Sequence, residues 1–186
     1  MRILLDEQFS RLTALEWSVL GWLSLQRTWT STAELATDMA PSVSRKTLLE
    51  SLESLMSRAM IEQRQGRYSL QPAVMEAVLD ALIERFSREI SEASLDHLNR
   101  FAILKATAPD YILQAQRRLV LAPLVQHIRD SFLPGEPLKR HLRFLFQQLR
   151  DRPPGFFGYG AANLFHLATG LGLDLGGENL GSLRLR

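Results

Sequence analysis

The segment "SRKTLLESLESLMSRAMIEQRQGRYSL", Ser44–Leu70, changes its hydrophobic period part of the way along, and this change decides the fold. Its first part places apolar residues at helical spacing, which predicts a helix from Ser44 to about Ala59. Two short runs follow, Ile61–Arg64 and Arg67–Leu70. They flank Gln65-Gly66, a pair typical of a two-residue β-turn because glycine tolerates a positive φ. The segment therefore predicts a helix followed by a β-hairpin.

Two helix starts precede this segment. Thr13 is followed three residues later by Glu16, and Ser31 by Glu34, which is the spacing of a capping box. We therefore expect a first helix from Thr13 and a short second helix from Ser31 to about Met39. Three helices followed by a hairpin predict a winged helix-turn-helix domain over residues 10–72.

Residues 73–177 carry only helical patterns, so we expect a mainly α protein in which the winged helix is followed by an all-α helical domain. A tail at 178–186 completes the chain. Prolines and polar residues set the expected helix boundaries: first turns at Pro72 and Pro109, a cap at Ser94, an end or kink at Pro123, and a break at Pro134-Gly135-Glu136-Pro137.

The glycine-rich stretch "GFFGYGAANLFHLATGLGLDLGG", Gly155–Gly177, comes close to the spacing of a dinucleotide-binding loop. Such a loop needs a buried strand before it, and Arg152-Pro153-Pro154 cannot supply one. We predict instead a helix of small residues, with Gly158 and Gly160 loosening the turn before it. The glycines after Leu167 mark the place where we expect order to fade.

Composition excludes several classes of protein. The 186 residues include no cysteine, so disulfides and thiolate metal sites are excluded. No apolar run approaches the length of a membrane span, and we expect a cytoplasmic protein without membrane contact. The four histidines have no paired ligand spacing, and no nucleophile motif is present. We therefore expect no enzyme activity, no catalytic residues, no metal and no cofactor.

Charge points to one candidate interaction face, formed by Arg45 and Lys46 on the third helix and by Arg64 and Arg67 on the hairpin. Such residues could contact DNA, with the helix in the major groove and the hairpin at phosphates. However, residues 1–72 contain eight basic and eight acidic residues, whereas DNA affinity depends on phosphate neutralisation. A protein partner is therefore favoured, and a DNA-binding regulator remains the alternative.

The segment Arg11–Glu84 resembles the winged-helix region of cyanobacterial signalling ATPases of the NB-ARC or STAND type, which end in WD or pentapeptide repeats. The likeness continues through "ILKATAPDYILQAQRRLVLAPLVQHI" (Ile103–Ile128) and "GYGAANLFHLATGLGLDL" (Gly158–Leu175). The tail "ENLGSLRLR" (Glu178–Arg186) resembles the entry into the repeats. The resemblance implies either a fragment of such a protein or a stand-alone adaptor.

In that family a P-loop domain hydrolyses the nucleotide, while the winged helix and helical domain relay its state to the repeats. The resemblance therefore implies a non-enzymatic regulatory and protein-interaction module, with an NTPase domain as one candidate partner. Related ATPases carry a histidine at the end of the wing that contacts the ADP β-phosphate. Gln71 stands in its place here and is expected to be the relic of that sensor.

Overall fold

The computed structural model describes residues 7–39, 41–132, 135–152 and 158–174. Contacts divide the chain into two compact units, Met1–Leu82 and Ile83–Arg186. The protein is mainly helical, as predicted, and has a small three-stranded sheet among the described residues. The predicted domain boundary at residues 72 and 73 stays a prediction, and the tail at 178–186 lies outside the described residues.

The first unit follows its local sequence signals closely. Its elements are α1 (Ala14–Gln26), β1 (Thr30–Ser31), α2 (Thr32–Asp38), α3 (Arg45–Ser57), β2 (Ile61–Arg64) and β3 (Arg67–Leu70). Both capping boxes form: the Thr13 and Ser31 side chains accept from the backbone N–H of the third helical residue, and Glu16 and Glu34 accept in return. Each box satisfies N–H groups that a helix start leaves without partners.

The hairpin forms with the predicted register. Ile61 pairs with Leu70 and Arg64 with Arg67, across a turn in which Gln65 and Gly66 have φ values of 51° and 74°. Positive φ at both positions is the signature of a type I′ turn, whose twist matches that of the flanking strands.

No pattern in the sequence predicts β1. Thr30 and Ser31 pair antiparallel with Tyr68 and Arg67, so β3 lies at the centre of the sheet, in the order β1-β3-β2. Two residues are too few to show a period of two, and Ser31 is also the N-cap of α2.

Helix α1 is the core of the first unit. Its large apolar residues are buried on all sides: Trp17, Val19, Leu20, Trp22, Leu23 and Leu25. A helix that is hydrophobic all round must be surrounded, and α1 packs against α2, α3 and β3.

Glu16 ties the start of α1 to the end of α3. Its carboxylate accepts hydrogen bonds from the Ser54 hydroxyl at 2.7 Å and from the Thr13 backbone at 2.7 Å, and it pairs with the Arg58 guanidinium. Burial by itself would raise the pKa of Glu16, but the hydrogen bonds from Ser54, Thr13 and Arg58 outweigh it and lower the pKa to about 2. The ionised form of Glu16 is therefore the one that the fold stabilises.

This lowered pKa predicts how the stability of the first unit depends on pH. A carboxylate whose folded pKa lies below its ordinary value of 4.5 contributes stability above that value and loses it as the pH falls towards about 2. Between neutral pH and about pH 2, we expect the wild type to lose about 2–3 kcal/mol of its free energy of unfolding through Glu16. The Glu16→Gln variant should not show this part of the loss, because an amide does not titrate. Urea unfolding at a series of pH values from neutral to acid measures the difference. Parallel pH profiles for the two proteins would contradict the prediction.

The second unit contains helices and a single π-helical turn among its described residues. Helix α4 (Pro72–Glu92) begins in the first unit and ends in the second. It is followed by α5 (Asp96–Arg100), α6 (Asp110–Gln116), the π turn (Arg117–Leu121), α7 (Ala122–Ser131), α8 (Glu136–Arg150) and α9 (Gly160–Gly170). Gly135, with a φ of 93°, immediately precedes α8 and supports the predicted break, while Pro134 lies outside the described residues.

One predicted boundary is wrong. Ser94 does not cap α5, whose N-cap is Leu95 and has no side-chain bond; Glu89 of the preceding helix accepts from its free N–H groups instead. The predicted interruption at Pro123 is present. The α-helix gives way to the π turn just before it, and α7 begins at Ala122, so the proline falls in the first turn of α7, where its missing N–H costs little.

Candidate interaction surface

The helical half of the predicted face lies at the start of α3. Ser44 caps this helix by accepting from the Thr47 N–H at 3.1 Å, which places Arg45 and Lys46 in the first turn. Both side chains are exposed. Lys46 Nζ lies 3.9 Å from Glu50 Oε1, a pair with both partners largely in solvent. Such pairs contribute little energy, so Lys46 can exchange Glu50 for another partner at small cost.

The hairpin half of the face is organised around Trp29. The Arg64 guanidinium lies over the Trp29 ring, 5.3 Å from its centroid, within the range of a cation–π contact. Arg67 Nη1 donates to the Trp29 carbonyl at 2.9 Å and to Glu34 Oε2 at 3.2 Å. Arg67 thus links β3 to the first turn of α2, and its charge is partly compensated within the unit.

Gln71 lies at the junction of β3 and α4. Its backbone carbonyl accepts from the Met75 N–H at 2.9 Å, so the residue starts the helix through its main chain. Its side chain is exposed and carries a neutral amide. The amide is therefore placed to contact another molecule, but it cannot respond to a phosphate by changing its own charge.

The glycine-rich stretch contains the predicted helix of small residues, α9, and Gly158 before it makes a close contact. A Cβ built on Gly158 would lie 2.4 Å from the Asn99 carbonyl oxygen and 2.3 Å from its side-chain nitrogen. Gly158 is therefore required by the close approach of Asn99, which the sequence does not predict. The N–H groups of Tyr159 and Gly160 donate to the carbonyl and side-chain oxygens of Asn99, at 3.0 and 3.1 Å. A phosphate would have to displace both bonds.

Asn163 on α9 holds the irregular segment after α5. Its amide nitrogen donates to the carbonyls of Leu98 and Phe101, both at 2.6 Å, and its oxygen accepts from the Ile103 N–H at 2.9 Å. Asn163 is almost completely buried. One side chain therefore satisfies three backbone groups that no helix or sheet would satisfy.

Three titratable side chains meet where α4 faces α5. The Glu89 carboxylate accepts from the His97 and Leu98 N–H groups and from His97 Nδ1, the last at 2.6 Å. Burial alone would raise the pKa of Glu89, but the His97 side chain and the two N–H groups outweigh it, and the net shift is downward. His97 Nε2 lies 3.1 Å from Arg85 Nη1. Arg85 can only donate, so Nε2 is already an acceptor here and cannot take a substrate proton without losing this bond.

Sequence reasoning missed Glu89, Asn99 and Asn163 because each acts on a backbone segment far away or outside its own helix. A signal existed only for Asn163, a polar residue inside an apolar helical pattern. Among the described residues, no three His, Asp or Glu side chains gather as metal ligands would. None of the described helices is both long and apolar enough to cross a lipid bilayer.

Comparison with known proteins gives one informative similarity. Over 216 aligned residues the chain is 31% identical to an uncharacterised WD repeat-containing protein of the cyanobacterium Nostoc sp. (strain PCC 7120). The alignment covers 98% of this chain but only 17% of the relative, so the chain spans about a sixth of the length of that protein. No family model and no solved structure matches the chain. The chain is therefore similar to a short part of a much longer cyanobacterial WD repeat-containing protein.

Proposed function

We propose that the chain is a non-enzymatic regulatory module that binds a protein partner through its first unit. In this proposal the first unit is a winged helix, in which α3 is the third helix and the β2–β3 hairpin is the wing. The partner is the NTPase domain of a STAND-type signalling ATPase. The similarity to a WD repeat-containing protein supports a setting in protein interaction.

The main support for the proposal is that both arginines of the wing already have partners within the first unit. Arg67 is hydrogen-bonded to the Trp29 carbonyl and to Glu34, and Arg64 lies over the Trp29 ring. A wing that contacted phosphates would have to release these cations first. Residues 1–72 contain equal numbers of acidic and basic residues, and the rest of the unit adds Glu76 and Asp80, so the unit has no net positive charge to attract a polyanion. A protein surface with both signs of charge is the better complement.

Titration with fluorescent duplex DNA over a series of salt concentrations tests this choice of partner. We expect the full chain to bind DNA with a dissociation constant of about 10⁻⁶ M or weaker at physiological salt, which is the range of non-specific binding. We also expect the Arg45→Glu variant to behave like the wild type, because no phosphate contact is lost. The helix start tolerates this change, since an acidic residue suits the first turn.

DNA binding would give the opposite pattern. Tight association that weakens steeply with salt, and that Arg45→Glu reduces strongly, would establish a winged-helix DNA-binding regulator in place of the protein-interaction module. Arg118→Glu provides a matched control, because it reverses one exposed charge of the same sign in the second unit.

A further inference from the structure

One histidine of the second unit has a charged side chain at each of its ring nitrogens. His97 Nδ1 lies 2.6 Å from Glu89 Oε1, and His97 Nε2 lies 3.1 Å from Arg85 Nη1. An ionised carboxylate can only accept a hydrogen bond, and a guanidinium can only donate one. The ring in this arrangement is therefore neutral, with its proton on Nδ1 and the lone pair of Nε2 directed at Arg85.

A second proton on this ring would change the two contacts in opposite ways. The contact with Glu89 would be kept and would become an ion pair, because Nδ1 already donates to the carboxylate. The contact with Arg85 would be lost, because Nε2 would then carry a hydrogen that points at another donor. Two positive charges would also face each other across the 3.1 Å that separates Nε2 from Arg85 Nη1.

The start of α5 does not depend on this second proton. Glu89 accepts from the backbone N–H groups of His97, at 2.8 Å, and of Leu98, at 3.0 Å, whatever the charge of the ring. Asn163 also holds the Leu98 carbonyl. The backbone of α5 is therefore fixed by other bonds, and Arg85 is the side chain that is free to respond to the charge of His97.

Arg85 is also held where its own charge is poorly solvated. The side chain is half-buried, and burial together with repulsion from Arg88 lowers its pKa below the ordinary value, although the Glu89 charge opposes this. A guanidinium in such a place gains hydration when it moves outward. The hydrogen bond to His97 Nε2 favours the inward position, so its loss favours the outward one.

The other charged groups near the ring do not duplicate these contacts. Asp96 Oδ1, next to His97 in sequence, lies 4.0 Å from Arg152 Nη2. The described helix α9 packs against α5 and contains one titratable residue, His166, whose pKa is lowered by burial and by Arg117 of the π turn. On α8, His141 Nε2 contacts the Ile90 carbonyl at the end of α4. The remaining charged residues of α5 and of the second-unit part of α4 are Glu84, Arg88, Glu92 and Arg100.

We propose that His97 is a pH-sensitive switch that sets the position of the Arg85 side chain. When the ring is neutral, Nε2 accepts from the guanidinium and holds it against α5; when the ring is protonated, the guanidinium turns away. Histidine is the side chain whose charge ordinarily changes between about pH 5 and 8. The proposal concerns the second unit alone and does not depend on the function proposed for the first.

The carboxylates on which the fold depends stay ionised over this range of pH. The pKa of Glu16 is lowered to about 2, and that of Glu89 also lies below its ordinary value of 4.5. Mild acid therefore leaves the bonds of both carboxylates intact, and a change at Arg85 can be observed in the folded protein.

Nuclear magnetic resonance of the full chain, with isotope-labelled histidine and arginine side chains, tests the proposal. The signals are followed from about pH 8 to about pH 5. At the upper end we expect His97 to carry its proton on Nδ1 and none on Nε2. As Nε2 gains a proton, the signals of the Arg85 guanidinium should shift with the same midpoint, while the backbone signals of α5 stay in place.

Two variants separate His97 from the other histidines. His97→Gln keeps an amide oxygen that can accept from Arg85 but cannot become charged, so the Arg85 signals should lose their dependence on pH. His127→Gln is the matched control: His127 is exposed on α7, and the Arg85 shift should be unchanged. Circular dichroism melts show whether each variant keeps its fold, and the titration of the wild type does not depend on either variant.

Three results would overturn the inference. The first is a proton on Nε2 already at the upper end of the range. The second is an Arg85 signal that stays constant while Nε2 gains its proton, or that still shifts in folded His97→Gln. The third is protonation of His97 only at a pH where the second unit unfolds.

Discussion

Replacing Asn163 with leucine is expected to lower the free energy of unfolding of the second unit by about 3–5 kcal/mol, although leucine has nearly the same size. The change removes the three hydrogen bonds that Asn163 makes to buried backbone groups, at the Leu98 carbonyl, the Phe101 carbonyl and the Ile103 N–H. The loss of one such buried hydrogen bond costs about 1–3 kcal/mol, and the contributions are not strictly additive. Urea unfolding followed by circular dichroism measures the loss.

Hydrogen exchange gives a local measure of the same effect. The Ile103 amide should exchange much faster in Asn163→Leu, because its acceptor is gone. Gln114→Leu is the matched control, since Gln114 is exposed and the same amide-to-aliphatic change there should stay within about 0.5 kcal/mol. If the two variants were equally stable, Asn163 would not be holding the segment after α5.

Gly158→Ala should be almost as damaging, although it adds a single methyl group. That group would lie 2.4 Å from the Asn99 carbonyl oxygen, which belongs to the backbone and cannot rotate away. We expect a loss of about 3 kcal/mol or more, at or above the upper end of ordinary overpacking, because the bonds from Tyr159 and Gly160 to Asn99 would be strained as well. Thermal and urea unfolding of the full chain measure it.

Gly172→Ala separates this steric cost from the conformational cost of losing a glycine. Gly172 has a φ of 71° and nothing near its missing Cβ, so alanine there should cost about 1 kcal/mol through backbone strain alone. If Gly172→Ala lowered the free energy of unfolding more than Gly158→Ala, the close approach of Asn99 would not be the reason for glycine at position 158.

The first unit could be predicted almost element by element because its signals are local. A cap and its partner lie three residues apart at Thr13 and Ser31, and the turn at Gln65-Gly66 lies between the two strands that it joins. Only β1 was missed, because two residues pair through backbone atoms and leave no pattern in the side chains.

The second unit was harder to predict because its boundaries depend on distant residues. Ser94 looks like a cap, but Glu89 takes that role from the preceding helix. Gly158 looks like a flexible turn, but it makes room for Asn99, about sixty residues earlier. Pro123 does mark an interruption of the helix, but the sequence does not show that the interruption is a π turn before the proline. The spacing of residues along the chain does not predict contacts between positions that are far apart in sequence.

The candidate face also has a part that could be predicted from local signals and a part that could not. The sequence placed Arg45, Lys46, Arg64 and Arg67 on the correct elements, since their helix and hairpin are locally specified. It could not predict that Arg64 and Arg67 share Trp29, because β1 brings that residue to the hairpin. Because both arginines already have partners, we favour a protein over DNA as the partner of this face.

The most direct test of the proposed function is calorimetric titration of the full chain with a purified NB-ARC-type ATPase domain, loaded first with ADP and then with ATP. We predict binding that differs between the two nucleotide states and that Arg45→Glu weakens by about ten-fold, while Arg118→Glu leaves it unchanged. No binding in either state, or equal affinity for both nucleotides with no effect of Arg45→Glu, would contradict a regulatory module that docks through α3.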